Sequence, residues 1–197
     1  DTEDRHLTDF VLELSAAPAA TGVCFTAAVG QLKTPTVING GITGTVPADN
    51  ITMPYGWVTV KPMDALSIDG GRLATKLGYE AAATYANQNI LLGGVWNSQP
   101  LFYEGLRATY NFGSVTGFVE ANDDASTSPK GEGGSYVVGV SGTVSGVNYA
   151  VAYSDASNGR NIIDIVVSGE IAGTTVAANL DYQTLDNAVK VPEIGRA

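Results

Sequence analysis

From residue 102 onward, apolar and polar side chains alternate with a period of two in segment after segment, with short clusters of turn residues between them. That period suits a β-strand, whose successive side chains point to opposite faces, and not a helix with 3.6 residues per turn. In 102–112, Leu106, Ala108, Tyr110 and Phe112 share one face, while Arg107, Thr109 and Asn111 share the other. After Gly113-Ser114, Val115, Gly117, Val119 and Ala121 alternate with Thr116, Phe118, Glu120 and Asn122, and the polar stretch 123–134 then reads as a long loop. Tyr136, Val138, Val140 and Val144 alternate with Ser135, Gly139, Ser141 and Thr143. Ser145-Gly146 supplies a tight hairpin turn into Asn148, Ala150, Ala152 and Ser154, set against Tyr149, Val151 and Tyr153. A loop at 156–160 leads to Ile163, Ile165, Val167 and Ile171 against Asp164, Ser168 and Glu170. Gly173 returns the chain through Val176, Ala178, Leu180 and Tyr182 against Thr175, Asn179, Asp181 and Gln183.

Short turns thus alternate with longer loops, the arrangement of an up-and-down barrel with one short-turned and one long-looped rim. The polar faces carry Arg107, Glu120, Asp164, Glu170 and Asp181 at mid-strand positions. In a barrel these side chains would line a lumen; in a soluble β-sandwich they would form the solvent face. Both readings are carried forward, with the lumen preferred. Small residues on the inner faces (Ala28, Gly30, Gly139, Ala150 and Ala152) favour space for a channel.

The first half is less regular. Strands are expected at 8–16, with Phe10, Leu12 and Leu14 against Asp9, Glu13 and Ser15, and at 22–32, with Val23, Phe25, Ala27 and Val29 against Cys24, Thr26, Ala28 and Gly30. Two more are expected at 57–61 and 66–75, separated by a Pro62-Met63-Asp64 corner, with Gly70-Gly71 read as a bulge that turns Arg72 inward. Strand, proline-containing corner and strand therefore occur twice, the second strands ending in Gly-Gln-Leu-Lys-Thr and Gly-Arg-Leu-Ala-Thr. Between the copies, 35–56 reads as a long loop rich in Gly, Thr, Pro and Asn. Leu77, Glu80 and the alanines at 81–83 and 86 favour helix. The segment 74–89 is either a short helix folded toward the pore or an irregular loop.

Composition excludes several classes. Lys and Arg number 10 against 20 Asp and Glu, a net charge of −10, so nucleic acid would be repelled. One cysteine, Cys24, permits no intrachain disulfide and no thiolate metal cluster. No stretch approaches the roughly 18 apolar residues of a spanning helix. A spanning β-strand needs only about 9–11 residues of alternating character, which averages to a near-neutral hydropathy; the mean hydropathy is +0.08. The opening Asp1-Thr2-Glu3-Asp4-Arg5 has neither a basic nor an apolar signal-peptide region, as expected if any signal peptide has been removed. The lone histidine, His6, lies in a polar run without a nucleophile motif, and no Walker, GxSxG, HExxH or EF-hand pattern occurs. Asp123-Asp124 or Asp181 with Asp186 could hold calcium, and Glu120 with Asp164 could suggest glycosidase chemistry. Solvated loop acids and acids scattered through a sheet are the simpler accounts of both. No enzyme activity, cofactor or metal is expected.

In 71–110 the sequence resembles the β-barrel porins of the OmpL-like type. The resemblance is carried by Gly71-Arg72-Leu73-Ala74-Thr75 running into Gly78-Tyr79-Glu80, by Asn89 and Leu91-Leu92-Gly93, and by the run Pro100-Leu101-Phe102-Tyr103-Glu104-Gly105-Leu106-Arg107-Ala108-Thr109-Tyr110. It implies a bacterial outer-membrane barrel with a water-filled passage for small solutes and no cofactor. The chain ends Glu193-Ile194-Gly195-Arg196-Ala197, without an aromatic-terminated closing strand, so the expectation includes a barrel that is incomplete here or completed by a partner subunit.

The resulting expectation is an all-β, antiparallel, up-and-down transmembrane β-barrel of about 10–12 strands formed by residues 1–197 as a single domain. Its lumen would be lined by Arg72, Glu104, Arg107, Glu120, Asp164, Glu170 and Asp181, and would pass cations or neutral solutes in preference to anions. Its partners would be outer-membrane lipid, small solutes or ions and a homo-oligomer or partner subunit. The alternatives are a structural barrel, scaffold or adhesin in a surface assembly, and a secreted soluble β-sandwich binding protein.

Overall fold

The computed structural model describes residues 10–16, 21–31, 35–38, 41–44, 52–80, 95, 99, 102–123, 134–156, 160–185 and 192–196. Eleven strands pair antiparallel in one continuous sheet: β1 (Phe10–Ser15), β2 (Gly22–Gln31), β5 (Thr52–Met63), β6 (Leu66–Ala74), β7 (Phe102–Asn111), β8 (Val115–Asp123), β9 (Gly134–Val144), β10 (Val147–Asp155), β11 (Arg160–Ile171), β12 (Thr174–Leu185) and β13 (Pro192–Arg196). Each strand pairs with its neighbour in that order, the up-and-down topology of a barrel wall rather than the two packed sheets of a sandwich. Among the described residues the first and last strands are not paired to each other. A separate hairpin, β3 (Pro35–Ile38) with β4 (Gly41–Gly44), forms where the sequence suggested only a loop.

The ladder shows how the alternation becomes two faces. Directly opposed residues on neighbouring strands point the same way. One row runs Val23, Val60, Ile68, Ala108, Val119, Val138, Tyr153, Ile163 and Tyr182 across nine strands, apolar apart from its tyrosine hydroxyls. The row one residue further along each strand belongs to the opposite face: Cys24, Thr59, Asp69, Arg107, Glu120, Val137, Ser154, Ile162 and Gln183. Burial inverts what a soluble protein shows. Val138 is 41% exposed and its strand neighbour Val137 only 1%, while Arg107, Glu120, Asp164 and Asp181 are buried and Leu106, Phe112 and Val119 are exposed. A surface apolar over nine strands and backed by polar side chains on the other face matches a hydrocarbon surround.

Four turns of two or three residues close one rim, at 64–65, 112–114, 145–146 and 172–173. Ser145-Gly146 and Ala172-Gly173 have φ of 52° and 79°, and of 51° and 79°, the left-handed pair that a type I′ hairpin demands. Outward aromatics gather near both rims: Tyr110 and Phe112, with ring centroids 4.7 Å apart, beside the short turns, and Tyr136, Tyr153 and Tyr182 toward the other end. Two aromatic belts bounding an apolar band are the interfacial pattern of outer-membrane barrels.

Several expectations change. The sequence placed a corner at Pro62, but β5 runs through it to Met63, and the register irregularity lies between Val60 and Met63. Gly70-Gly71 makes no bulge: β6 pairs with β7 without interruption from Leu66–Tyr110 to Ala74–Phe102. A Cβ on Gly71 would come within 2.5 Å of Gly56 O and 2.8 Å of Trp57 Cα, so glycine there answers a close approach of β5. The last residues do form a strand, β13, although it carries no aromatic side chain. The expected helix at 74–89 lies mostly outside the described residues, and its described part, up to residue 80, is not helical.

Candidate functional site: the inner face and the strap across it

Two polar clusters stand on the inner face. On the first, Arg107 of β7 and Glu120 of β8 are direct cross-strand partners. Arg107 Nη2 lies 2.6 Å from Glu120 Oε2, and Arg107 Nε donates to the same oxygen at 2.6 Å. Asn122 Nδ2 donates to Glu120 Oε1 at 2.7 Å, and Ser135 of β9 donates to Asn122 Oδ1. Arg107 Nη2 also donates to the carbonyl of Ala74 at the end of β6, at 2.5 Å. Both charges are nearly sealed, with Arg107 4% and Glu120 3% exposed, so each depends on the other.

On the second cluster, Asp164 of β11 faces Asp181 of β12, and the register continues the row to Glu193 on β13. Both aspartates are 0% exposed. What covers them is a strap from the connection between β6 and β7, whose described residues are 75–80, 95 and 99. Gly78 N donates to Asp164 Oδ2 at 2.9 Å, and Tyr79 N to Asn179 Oδ1 at 3.1 Å. From the far end of the same connection, Gln99 Nε2 donates to both Asp181 oxygens at 2.9 Å and to Asp164 Oδ1 at 3.3 Å. Asn179 Nδ2 completes the set on Asp164 Oδ1 at 2.5 Å. Leu77 fixes the strap apolarly, packing with Val137, Ala152 and Ile162, with Phe118 against them.

Of the residues expected to line a pore, Arg107, Glu120, Asp164 and Asp181 lie on the inner face in these two clusters. Glu170 is on the same side of β11 as Asp164, but exposed beside the Ala172-Gly173 turn at the mouth. Arg72 and Glu104 are corrected. They pair with each other across β6 and β7 but alternate out of phase with the buried Leu73 and Tyr103, which puts both on the outer face. Without a bulge, nothing changes the phase of β6. The sequence reading missed Gln99: it sits in a connection without periodicity, and its partner is 82 residues away. Asn122 and Asn179 were visible as polar-face positions but carried no mark distinguishing them from their neighbours.

The space over Gly139 that the sequence suggested is occupied: a Cβ there would lie 2.5 Å from Phe118 Cε1. The outer surface has an apolar groove of about 680 Å³ lined chiefly by outward residues such as Ala108, Tyr110, Val119, Val140 and Val151, so it belongs to the lipid-facing side. Among the described residues no group of three or more His, Cys, Asp or Glu is placed to hold a metal ion.

The sequence model of the family described as "Putative beta-barrel porin-2, OmpL-like" matches residues 6–194. No curated protein and no solved structure matches the chain.

Proposed function

The chain belongs to the OmpL-like β-barrel porin-2 family, and from that premise we propose that it forms a passive, water-filled, weakly cation-preferring channel for small solutes in a bacterial outer membrane. The observation that carries the ion preference is the difference between the two inner clusters. Arg107 and Glu120 cancel as a pair, whereas Asp164 accepts from the Gly78, Gln99 and Asn179 amides and faces a second carboxylate, Asp181, across the ladder. Acidic side chains facing each other at Asp164 and Asp181, with Glu170 on the same side of β11 at the mouth, favour cations over anions. Residues 1–197 are read as one barrel, with outer-membrane lipid around it and no catalytic step. A homo-oligomer or partner subunit remains part of this reading.

The test is reversal potential in planar bilayers under a salt gradient. The wild-type protein should conduct with cation preference; Asp164→Asn with Asp181→Asn should bring the permeability ratio toward unity. Absence of conductance would remove the pore, and conductance with unchanged selectivity would remove the role of the aspartates. A second reading, a structural barrel or scaffold, draws on one observation: the strap and the Leu77 cluster occupy inner space. That reading predicts a folded, membrane-inserted protein that does not conduct.

A further inference from the structure

We propose that the solute path runs along the wall made by β2, β5 and β6, and that Trp57 and Tyr55 fix its width. This rests on the channel reading above. One row of inward residues crosses the sheet from Cys24 to Gln183, and exposure divides it. Cys24, Thr59 and Asp69 are half-buried. Arg107, Glu120, Val137, Ser154 and Ile162 are each at most 4% exposed, and half-burial returns at Gln183. Residues of one row stand at one depth in the barrel, so depth does not account for the difference. Contact does: Leu77 packs with Val137 and Ile162, and Arg107 and Glu120 close on each other. Water and solute are left the side of β2, β5 and β6.

The same wall carries the bulk that narrows it. Tyr55 and Trp57, two residues apart on β5, share the inward face with Thr59. Tyr55 pairs with Ala28, and its hydroxyl donates at 2.5 Å to Glu13 of β1, one strand further on. The side chain therefore lies across Ala28, which is 0% exposed, and takes the space that so small a residue suggested. The Trp57 ring stands 5.7 Å from that of Tyr55, and the Phe102 ring stacks on Tyr55 at 5.5 Å and 18°. Trp57 pairs with Gly71, where a Cβ would stand 2.8 Å from Trp57 Cα, so β6 offers no side chain there and the indole supplies the bulk. A ring held by a hydroxyl bond and by stacking has few rotamers open to it, and the width it sets is constant. Thr59 Oγ1 donates to Asp69 Oδ1 at 2.6 Å, which leaves a passing solute a carboxylate, two threonine side chains at 26 and 59, and the indole.

Cys24 is a probe already standing in this wall. In planar bilayers a charged methanethiosulfonate should modify Cys24 of the wild-type protein and lower its unit conductance. Ser154→Cys in a Cys24→Ser background lies in the same row and should react at least about tenfold more slowly. Trp57→Ala should raise the unit conductance and admit larger neutral polymers. Thr26→Trp, next to Trp57 in register, should lower both, with heat-modifiable gel mobility retained in each variant. Absence of conductance in the wild-type protein would remove the channel and this path with it. Conductance with Ser154→Cys reacting as fast as Cys24, or conductance that neither Trp57→Ala nor Thr26→Trp alters, would overturn the path and leave the channel standing.

Discussion

Removing Arg107 alone tests whether the inner face is as dry at the first cluster as its packing implies. The guanidinium is 4% exposed and meets Glu120, 3% exposed, at 2.6 Å. Arg107→Ala leaves a buried carboxylate without its cation, with Asn122 still donating to it, and strips the Ala74 carbonyl of its donor. Breaking a sealed pair from one side costs about 3–5 kcal/mol, because the surviving charge loses its compensation without regaining water. Replacing both members by apolar groups of similar size, Arg107→Met with Glu120→Leu, removes both charges at once. Apolar replacement of buried pairs elsewhere has been neutral or stabilising. Here Asn122 and Ala74 lose partners, so the double variant should lie between wild type and the single variant, recovering at least about half of the loss. The assay is urea unfolding of the barrel in lipid vesicles, followed by gel mobility of unboiled samples. A single-variant cost under about 1 kcal/mol, the scale of solvated surface pairs, would show that water reaches the cluster and would refute the reasoning.

Other consequences follow from single positions. Ala172 holds φ of 51° in the β11–β12 turn, a conformation costly for a residue with a Cβ and no local polar group, so Ala172→Asn should stabilise the barrel by about 1 kcal/mol in the same urea titration. Gly139→Ala would drive a methyl into the Phe118 ring and to 3.0 Å from Ala152 Cβ, costing about 1–3 kcal/mol; Phe118→Leu in the same chain should return part of that cost. Val119→Arg places a charge in the apolar outer row and should cost about 2–4 kcal/mol in lipid if that row lies near the bilayer midplane, whereas Thr109→Arg, on the inner face, should cost less.

The sequence shows the barrel wall best where one face is greasy and the other wet over many residues. Strands β7 to β12 are legible because a register slip of one residue would exchange Val119 with Glu120, or Ile163 with Asp164, and the pattern itself forbids that. The first half is harder for a physical reason. Glycine and proline in β5 and β6 weaken local preference, so Pro62 looked like a corner and Gly70-Gly71 like a bulge. Phase along β6 is fixed instead by its neighbours, through Asp69 opposite Arg107 and Thr59, and this is why Arg72 faces outward. Four of the seven expected lining residues form the two buried clusters because mid-strand charges on a polar face have nowhere else to go. Gln99 was illegible: what gives it meaning is contact with Asp164 and Asp181, 65 and 82 residues away, which no local period encodes.

The central claim is that the apolar face meets lipid and the polar face encloses the lumen, and one pair of adjacent residues decides it. Val140 is 45% exposed on the outer face of β9, and Ser141, the next residue, points inward with room for a label. In a Cys24→Ser background, a fluorophore on Val140→Cys or on Ser141→Cys is reconstituted in vesicles containing lipids that carry a quencher on their acyl chains. Strong quenching at 140 with little at 141 is the predicted result; equal quenching at both sites, or stronger quenching at 141, would contradict the account.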